Sequence, residues 1–276
     1  MTGLGRRVLT ALVLVPLVVL AVMTADTDMF RWVVAVVALA ALWEWGGLAG
    51  LTDRVALVVF MGCSVLYLAV LGAAEASGLA FALTVPAALF WLVLTPVLMA
   101  RRNRPVAPSA EMSIPLVIAG PVLIGATWAA LVALHRTVPA GPEICLFLLV
   151  MVWVVDSAAY FTGRRFGRHK LAPGISPGKT IEGVAGALVA AAILGATYAL
   201  SGRPDVPVGG FVLLCAVVAL VSVTGDLLES VVKRRHGVKD SGDLLPGHGG
   251  VLDRIDSLAA AAPLFYVGIS VLESTA

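Results

Sequence analysis

The sequence predicts an all-α integral membrane protein, a polytopic helical bundle of about nine transmembrane helices. Three observations point there. Of 276 residues, 60% are hydrophobic and 13% charged, and the mean hydropathy of +1.00 lies beyond the range of soluble domains. The apolar residues fall in runs long enough to cross, or nearly cross, a hydrocarbon core of about 30 Å. The 19 Lys and Arg are shared unevenly between alternate connections.

In chain order the apolar runs cover 8–25, 32–51, 55–72, 79–100, 113–134, 144–162, 183–200, 208–230 and 257–272. Those at 55–72 and 257–272 are short enough to be tilted, re-entrant or merged with a neighbour. Arg6 and Arg7 precede the first run, as in a secretory or twin-arginine signal. No small-x-small cleavage site follows and eight more runs do, so a retained first helix is expected. The runs divide into N-terminal transmembrane helices (1–134) and a C-terminal transmembrane region (135–276) with two long loops, 163–182 and 233–256, where the polar residues gather.

Charge sets the expected orientation. With a cytoplasmic N-terminus, Arg6, Arg7, Arg54, Arg101, Arg102, Arg104, Arg164, Arg165, Arg168, Lys170, Lys179, Lys233, Arg234, Arg235, Lys239 and Arg254 lie inside, 16 of the 19. Only Arg31, Arg136 and Arg203 fall outside. This is the positive-inside asymmetry, and it places both long loops in the cytosol and the C-terminus outside. The expected setting is a bacterial-type cytoplasmic (inner) membrane, crossed many times, with both long loops facing the cytosol. Cys63, Cys145 and Cys215 each stand alone in an apolar run and read as small core residues. The basic residues have no interleaved aromatics for base stacking, so no nucleic-acid partner is expected.

Connections as long as 163–182 and 233–256 are usually functional or disordered, and their closely set Gly, Pro and mixed charge argue for function. Gly178-Lys179-Thr180 suggests a phosphate-binding P-loop, G-x-x-x-x-G-K-[ST]. Pro173 stands where the first Gly is required, and the flanks are membrane helices. What remains is Lys179 (with Lys170) as point charges, Ser176 and Thr180 as hydroxyl donors, and a helix N-terminus near Thr180 that favours an anion. Asp156 lies about 18 Å along a helix starting near Ile144 at 1.5 Å per residue, so its carboxylate is expected below the surface, where charge is costly and usually functional.

The segment Ser222–Arg234 carries a polar stripe. At 100° per residue, Ser222, Asp226, Glu229, Ser230 and Lys233 fall within one arc of about 100°, away from Leu227, Leu228, Val231 and Val232. Simple pairing of Asp226 or Glu229 with Lys233 explains one carboxylate but not the stripe. Asp253 and Asp256 open the last helix on one face. Alone they would read as caps, but Gly247, His248, Gly249 and Gly250 allow a close backbone approach, and Asp226 is available from the neighbouring helix. Converging carboxylates among Lys and Arg suggest a hard-cation site, and magnesium takes one or two carboxylates completed by water and phosphates.

Ser230, Lys233-Arg234, Lys239-Asp240, Gly242, Leu245-Pro246, His248-Gly249-Gly250, Asp253-Arg254 and Asp256 together resemble the signature of phosphatidate cytidylyltransferases (CDP-diacylglycerol synthases). The D-x-x-A-Y-x-x-G-R-x-F-G run from Asp156 to Gly167 resembles the same family. So does ISPGKTIEG, where a second Lys is more usual at Gly178. The likeness covers the C-terminal half strongly and the N-terminal half through hydropathy. It implies a reaction in which CTP and phosphatidic acid give CDP-diacylglycerol and pyrophosphate, with magnesium, a second cation, a site open to cytosol and bilayer, and a homodimer. Asp226 and Asp253 match the family's metal-binding carboxylates. On this reading Asp226, Asp253, Lys239 and Arg254 are catalytic, while Lys179, Ser176, Thr180, Lys233, Arg234, His248, Asp240 and Asp256 bind substrate.

The residues fit that chemistry. A lipid phosphate is already anionic near neutral pH, so the obstacle is bringing two polyanions together, which metal and Lys/Arg relieve. Two rivals stand beside it. A CTP-dependent transferase or kinase acting on another anionic or polyprenyl lipid would share the metal chemistry. A transporter of an anionic solute would need midplane polarity and an internal repeat, whereas the polarity here gathers toward one face.

Overall fold

The computed structural model describes residues 3–73, 79–136, 140–202, 206–245, 247 and 249–275, with the backbone alone for 3–11, 79 and 80. Among these residues the chain forms α1 (Gly3–Thr24), α2 (Thr27–Leu48), α3 (Arg54–Ala73), α4 (Leu79–Ala100), α5 (Ile114–Arg136), α6 (Gly141–Phe166), β1 (Lys170–Ala172), β2 (Ser176–Thr180), α7 (Ile181–Leu200), α8 (Val208–Arg235) and α9 (Leu252–Thr275). Helices α2 to α9 contain the eight segments long and apolar enough to cross a membrane, and the apolar stretch of α1 is Leu12–Thr24. The protein is therefore a polytopic all-α membrane protein, as expected. The two short runs are complete helices of 20 and 24 residues.

Hydrogen bonds between connections show which loops share an end of the bundle. Ser113 N–H donates to Ala49 O (2.9 Å), Ser109 N–H to Arg235 O (2.6 Å) and Gly174 N–H to Arg102 O (2.8 Å). The α2–α3, α4–α5, α6–α7 and α8–α9 connections thus lie together, where the sequence gathers its Lys and Arg. At the far end, His135 of α5 sits 3.1 Å from Thr27 Oγ1 and 2.9 Å from Val22 O, tying the α1–α2 corner to the end of α5.

Helix α5 is the hub, packing against α2, α3, α4, α6 and α9. Two indole N–H groups fasten it to α2, Trp45 to Leu116 O (2.7 Å) and Trp128 to Arg31 O (3.1 Å). One apolar cluster fills the space among α5–α9 around Leu148, Phe211, Cys215 and Phe265, and a second joins α2, α3 and α5 around Leu42, Trp45 and Trp128. Cys145 and Cys215 are core residues, as expected, but Cys63 is exposed on α3. In a bilayer an apolar side chain loses nothing by facing lipid, so an apolar run alone does not distinguish the two positions.

The long loops are shorter than their sequence suggests. Helix α6 continues to Phe166, and most of the remaining connection is an antiparallel hairpin pairing Lys170 with Thr180 and Ala172 with Ser176. Ala172 and Ile175 anchor it by burying against Leu98, Val223 and Leu227. Helix α8 runs on to Arg235, its last-turn Lys233, Arg234 and Arg235 complementing the carbonyl end of the helix dipole. Helix α9 begins at Leu252, five residues before the apolar run, because a carboxylate, that of Glu44, satisfies the opening N–H groups of Val251 and Leu252.

Candidate active site

The hairpin decides where Lys179 goes. Thr180 ends β2 and caps α7, its Oγ1 accepting from Gly183 N–H at 3.1 Å, so GKT forms a strand end and a helix cap rather than a phosphate-wrapping loop. Held by the buried Ala172 and Ile175, the strand carries Lys179 Nζ to 2.6 Å from Asp226 Oδ2 on α8. Ser230, one turn along α8, donates to Asp226 Oδ1 at 3.3 Å.

Asp156 on α6 joins them. It is exposed to solvent and has Lys179, Asp226 and Arg254 as its charged neighbours, and the solvent-open cluster of charges they form where α6, β2, α8 and α9 meet is the recess. Ser257 Oγ donates to Asp156 Oδ1 at 3.4 Å. Asp256, one position earlier on α9, accepts from Ser257 N–H at 2.7 Å and has Asp226 and Glu229 as its charged neighbours. Gly225 makes this possible, because a Cβ there would collide with Asp256 O and force α8 from α9.

A second polar assembly lies beside the recess. Lys233 Nζ bridges Glu229 Oε2 and Asp253 Oδ1, both at 2.6 Å, with its side chain only 12% exposed. Asp253 Oδ2 accepts from Ser241 N–H (3.0 Å) and Gly250 N–H (2.8 Å). Asp253 therefore ties the start of α9 to the end of α8 and to the loop between them. Glu44 of α2 also enters this assembly, accepting from Ser241, Val251 and Leu252.

Of the other residues expected at the site, Arg254 is the exposed charge of the recess, and Lys239 and Asp240 are exposed on the loop after α8. Arg234 donates from Nη1 to Val238 O at 3.0 Å, shaping its own loop. Ser176 is half-buried at the start of β2. His248 lies outside the described residues. Of the polar stripe, Asp226, Glu229, Ser230 and Lys233 all take part in the assemblies above, whereas Ser222 is buried and donates to Ala219 O within its own helix. Glu44 and Ser241 were missed. The available signal was a carboxylate in the middle of an apolar run, the same signal that singled out Asp156.

Among the described residues no three His, Cys, Asp or Glu side chains stand ready to hold an ion by themselves. Magnesium asks for less, one or two carboxylates with phosphates and water. An ionised carboxylate has about four lone-pair sites. Asp226 uses two of them, on Lys179 and Ser230, whereas Asp253 uses three. Glu229 Oε1 is buried and, among the described residues, has no N–H or hydroxyl donor; its side chain meets the Asp256 carboxyl, a pair that needs a shared proton or a cation between its oxygens. Hard oxygen donors with unfilled lone pairs fit that ion, Asp226 more openly than Asp253.

Fold and site together define a multi-pass membrane protein whose basic end holds a charged recess, an arrangement suited to polyanions where bilayer meets water. The chain belongs to the cytidylyltransferase family, which its sequence matches over residues 5–272. It is similar to the phosphatidate cytidylyltransferase of Haemophilus influenzae, at 37% identity covering 95% of this chain and 97% of that protein. It is also similar to that of Pseudomonas aeruginosa, at 38% identity covering 95% of each chain. A shorter match, 49% identical over 133 residues and 47% of each chain, relates it to the phosphatidate cytidylyltransferase of Brucella suis.

Proposed function

We propose that this chain transfers the cytidylyl group of CTP to phosphatidic acid, forming CDP-diacylglycerol and pyrophosphate in phospholipid biosynthesis. Family membership and the near full-length relatives support the reading. The observation that carries it is the Lys179–Asp226 pair at 2.6 Å, set in a recess with Asp156, Asp256 and Arg254 at the basic end of the bundle.

A phosphate oxygen of phosphatidic acid attacks the α-phosphorus of CTP, the bond from that phosphorus to the β-phosphate bridging oxygen breaks, and pyrophosphate leaves. The attacking oxygen is already anionic, so no strong base is needed. Lys179 and Arg254 offset charge within the recess, and the exposed Lys239 and Arg234 raise the local concentration of anions at its rim. Asp226 would hold magnesium, and Asp253 could add its one open lone pair while keeping Lys233. When bound, the ion supplies charge neutralisation across the triphosphate. The Glu229–Asp256 pair is the place for a second cation.

Labelled CTP and phosphatidic acid, given to purified protein in lipid nanodiscs, test the reaction. The α-phosphate label should enter lipid and the γ-phosphate label should appear only in pyrophosphate. γ-Label in lipid would identify a kinase, preference for another lipid acceptor would change the substrate, and solute uptake into vesicles without either transfer would identify a transporter.

The recess faces the cytosol across an inner membrane, and the chain works as a homodimer; these parts rest on the charge distribution and on the family resemblance. In a background lacking the native Cys, Arg168→Cys and Arg235→Cys should resist an impermeant thiol reagent added to intact cells, and Ser274→Cys should react. Labelling at position 168 from outside would overturn the orientation. Light scattering of the purified protein reads the dimer.

A further inference from the structure

We propose that Glu44, on α2 in the N-terminal half, is a positioning residue for cytidylyl transfer: it holds the loop between α8 and α9 in the shape that sets Asp253 and Lys233. The inference rests on the proposed reaction and adds to it a residue outside the recess.

Glu44 is only 5% exposed on a membrane-spanning helix, where a carboxylate is costly unless it is well paired. Its oxygens accept from Ser241 Oγ–H (2.8 Å), Val251 N–H (3.0 Å) and Leu252 N–H (2.9 Å). The two amides open α9 and would otherwise be orphans, so a side chain from a distant helix supplies the cap. The loop closes around this carboxylate. A Cβ on Gly242 would stand 2.6 Å from Glu44 Oε1, and one on Gly250 would collide with Glu44 Oε2.

From Glu44 a continuous polar path leads toward the recess. Ser241 Oγ donates to Glu44 and accepts from Asp253 N–H at 3.3 Å, so Glu44 fixes the direction of that hydroxyl. Ser241 N–H donates in turn to Asp253 Oδ2 at 3.0 Å. Asp253 Oδ1 holds Lys233 Nζ, and Lys233 holds Glu229, whose neighbour is Asp256. Five side chains therefore connect α2 with α9, α8 and the recess. Since small misplacements of a reacting group cost large factors in rate, loosening the first member should reach turnover as well as stability.

The test uses the full chain in nanodiscs, with kcat and KM for CTP measured at saturating phosphatidic acid beside the thermal midpoint. Glu44→Gln keeps shape but turns an NH2 group toward one of the donors. It should lower kcat per folded protein at least about tenfold while KM for CTP stays within about threefold. Ser241→Ala should do the same, and the double variant should be no worse than the poorer single one, because both act through one path. A folded Glu44→Gln with unchanged kcat and a lowered midpoint would reduce Glu44 to a helix cap and overturn the proposal. If Glu44→Gln does not fold, unchanged kcat in Ser241→Ala overturns it. Asp253→Asn separates the two readings. Full turnover there removes Asp253 from the proposed site, whereas an inactive Asp253→Asn beside a fully active Glu44→Gln removes only the positioning role.

Discussion

The recess and the Lys233 assembly beside it are built from the same residue types and end in opposite states. Around Lys233, nearly every carboxylate oxygen has a donor. Asp253 takes a lysine and two backbone amides, Glu44 takes two amides and a hydroxyl, and Lys233 spans two carboxylates. In the recess, Asp156 receives a 3.4 Å hydroxyl contact, Asp226 keeps two lone-pair sites open, and Asp256 faces two other carboxylates. Saturated carboxylates hold helices together. Under-satisfied ones packed against their own kind fit the cation and the polyanion that the proposed reaction brings together. Identity in the sequence does not distinguish the two roles; the count of donors does.

Chelation should separate the regions most widely. Removing magnesium from the wild type with excess EDTA should abolish transfer while leaving the thermal midpoint in detergent nearly unchanged, since Lys233 bridges Glu229 and Asp253 without the ion. A large fall in midpoint on chelation would show that metal, rather than lysine, holds α8 to α9.

Exchanging the two lysines for methionine sharpens the contrast. Lys179→Met should lower turnover by about two to three orders of magnitude with a small change in midpoint, because it removes charge stabilisation from the recess. Lys233→Met leaves Glu229 and Asp253 buried without their cation, so it should destabilise the fold by about 3–5 kcal/mol, read from the shift in thermal unfolding. Equal profiles for the two variants would erase the distinction.

These pairings also mark how far the sequence could be read. The spans, the shared end of the long loops and the stripe from Ser222 to Lys233 follow from hydropathy and helical period, which are local properties. The hairpin was not legible. Its residues, KLAPGISPGKT, lack the alternation of a half-buried strand, and it is held by two small apolar contacts to α4 and α8 that only the fold creates. Nor was the role of Glu44, because its partners lie about 200 positions away. The signature grouped Asp253 with Asp226 as one kind of residue, whereas the structure gives each its own lysine.

Smaller effects should follow from the close helix approaches. Gly225→Ala pushes a methyl group into Asp256 O, so it should cost about 1–3 kcal/mol of stability and lower turnover about tenfold by parting α8 from α9 at the recess. Unchanged kinetics would mean that the recess tolerates that separation. Further away, a Cβ on Gly186 of α7 meets the Thr162 side chain on α6. Gly186→Leu should lower the thermal midpoint more than Leu188→Ala, with transfer by the surviving folded protein close to normal. Equal midpoints would count against close α6–α7 packing there.

The most direct test of the division is pyrophosphate release across a magnesium titration for Asp226→Asn and Asp253→Asn beside wild type, with thermal midpoints for all three. Asp226→Asn should fold normally, lose turnover by orders of magnitude and need at least about tenfold more magnesium for its residual rate, because charge next to the ion is gone. Asp253→Asn should lose stability along with turnover, since it weakens Lys233 and the start of α9. Near-normal turnover in a well-folded Asp226→Asn, or the same magnesium dependence in both variants with the same midpoint, would contradict the assignment of chemistry to the recess and support to Lys233.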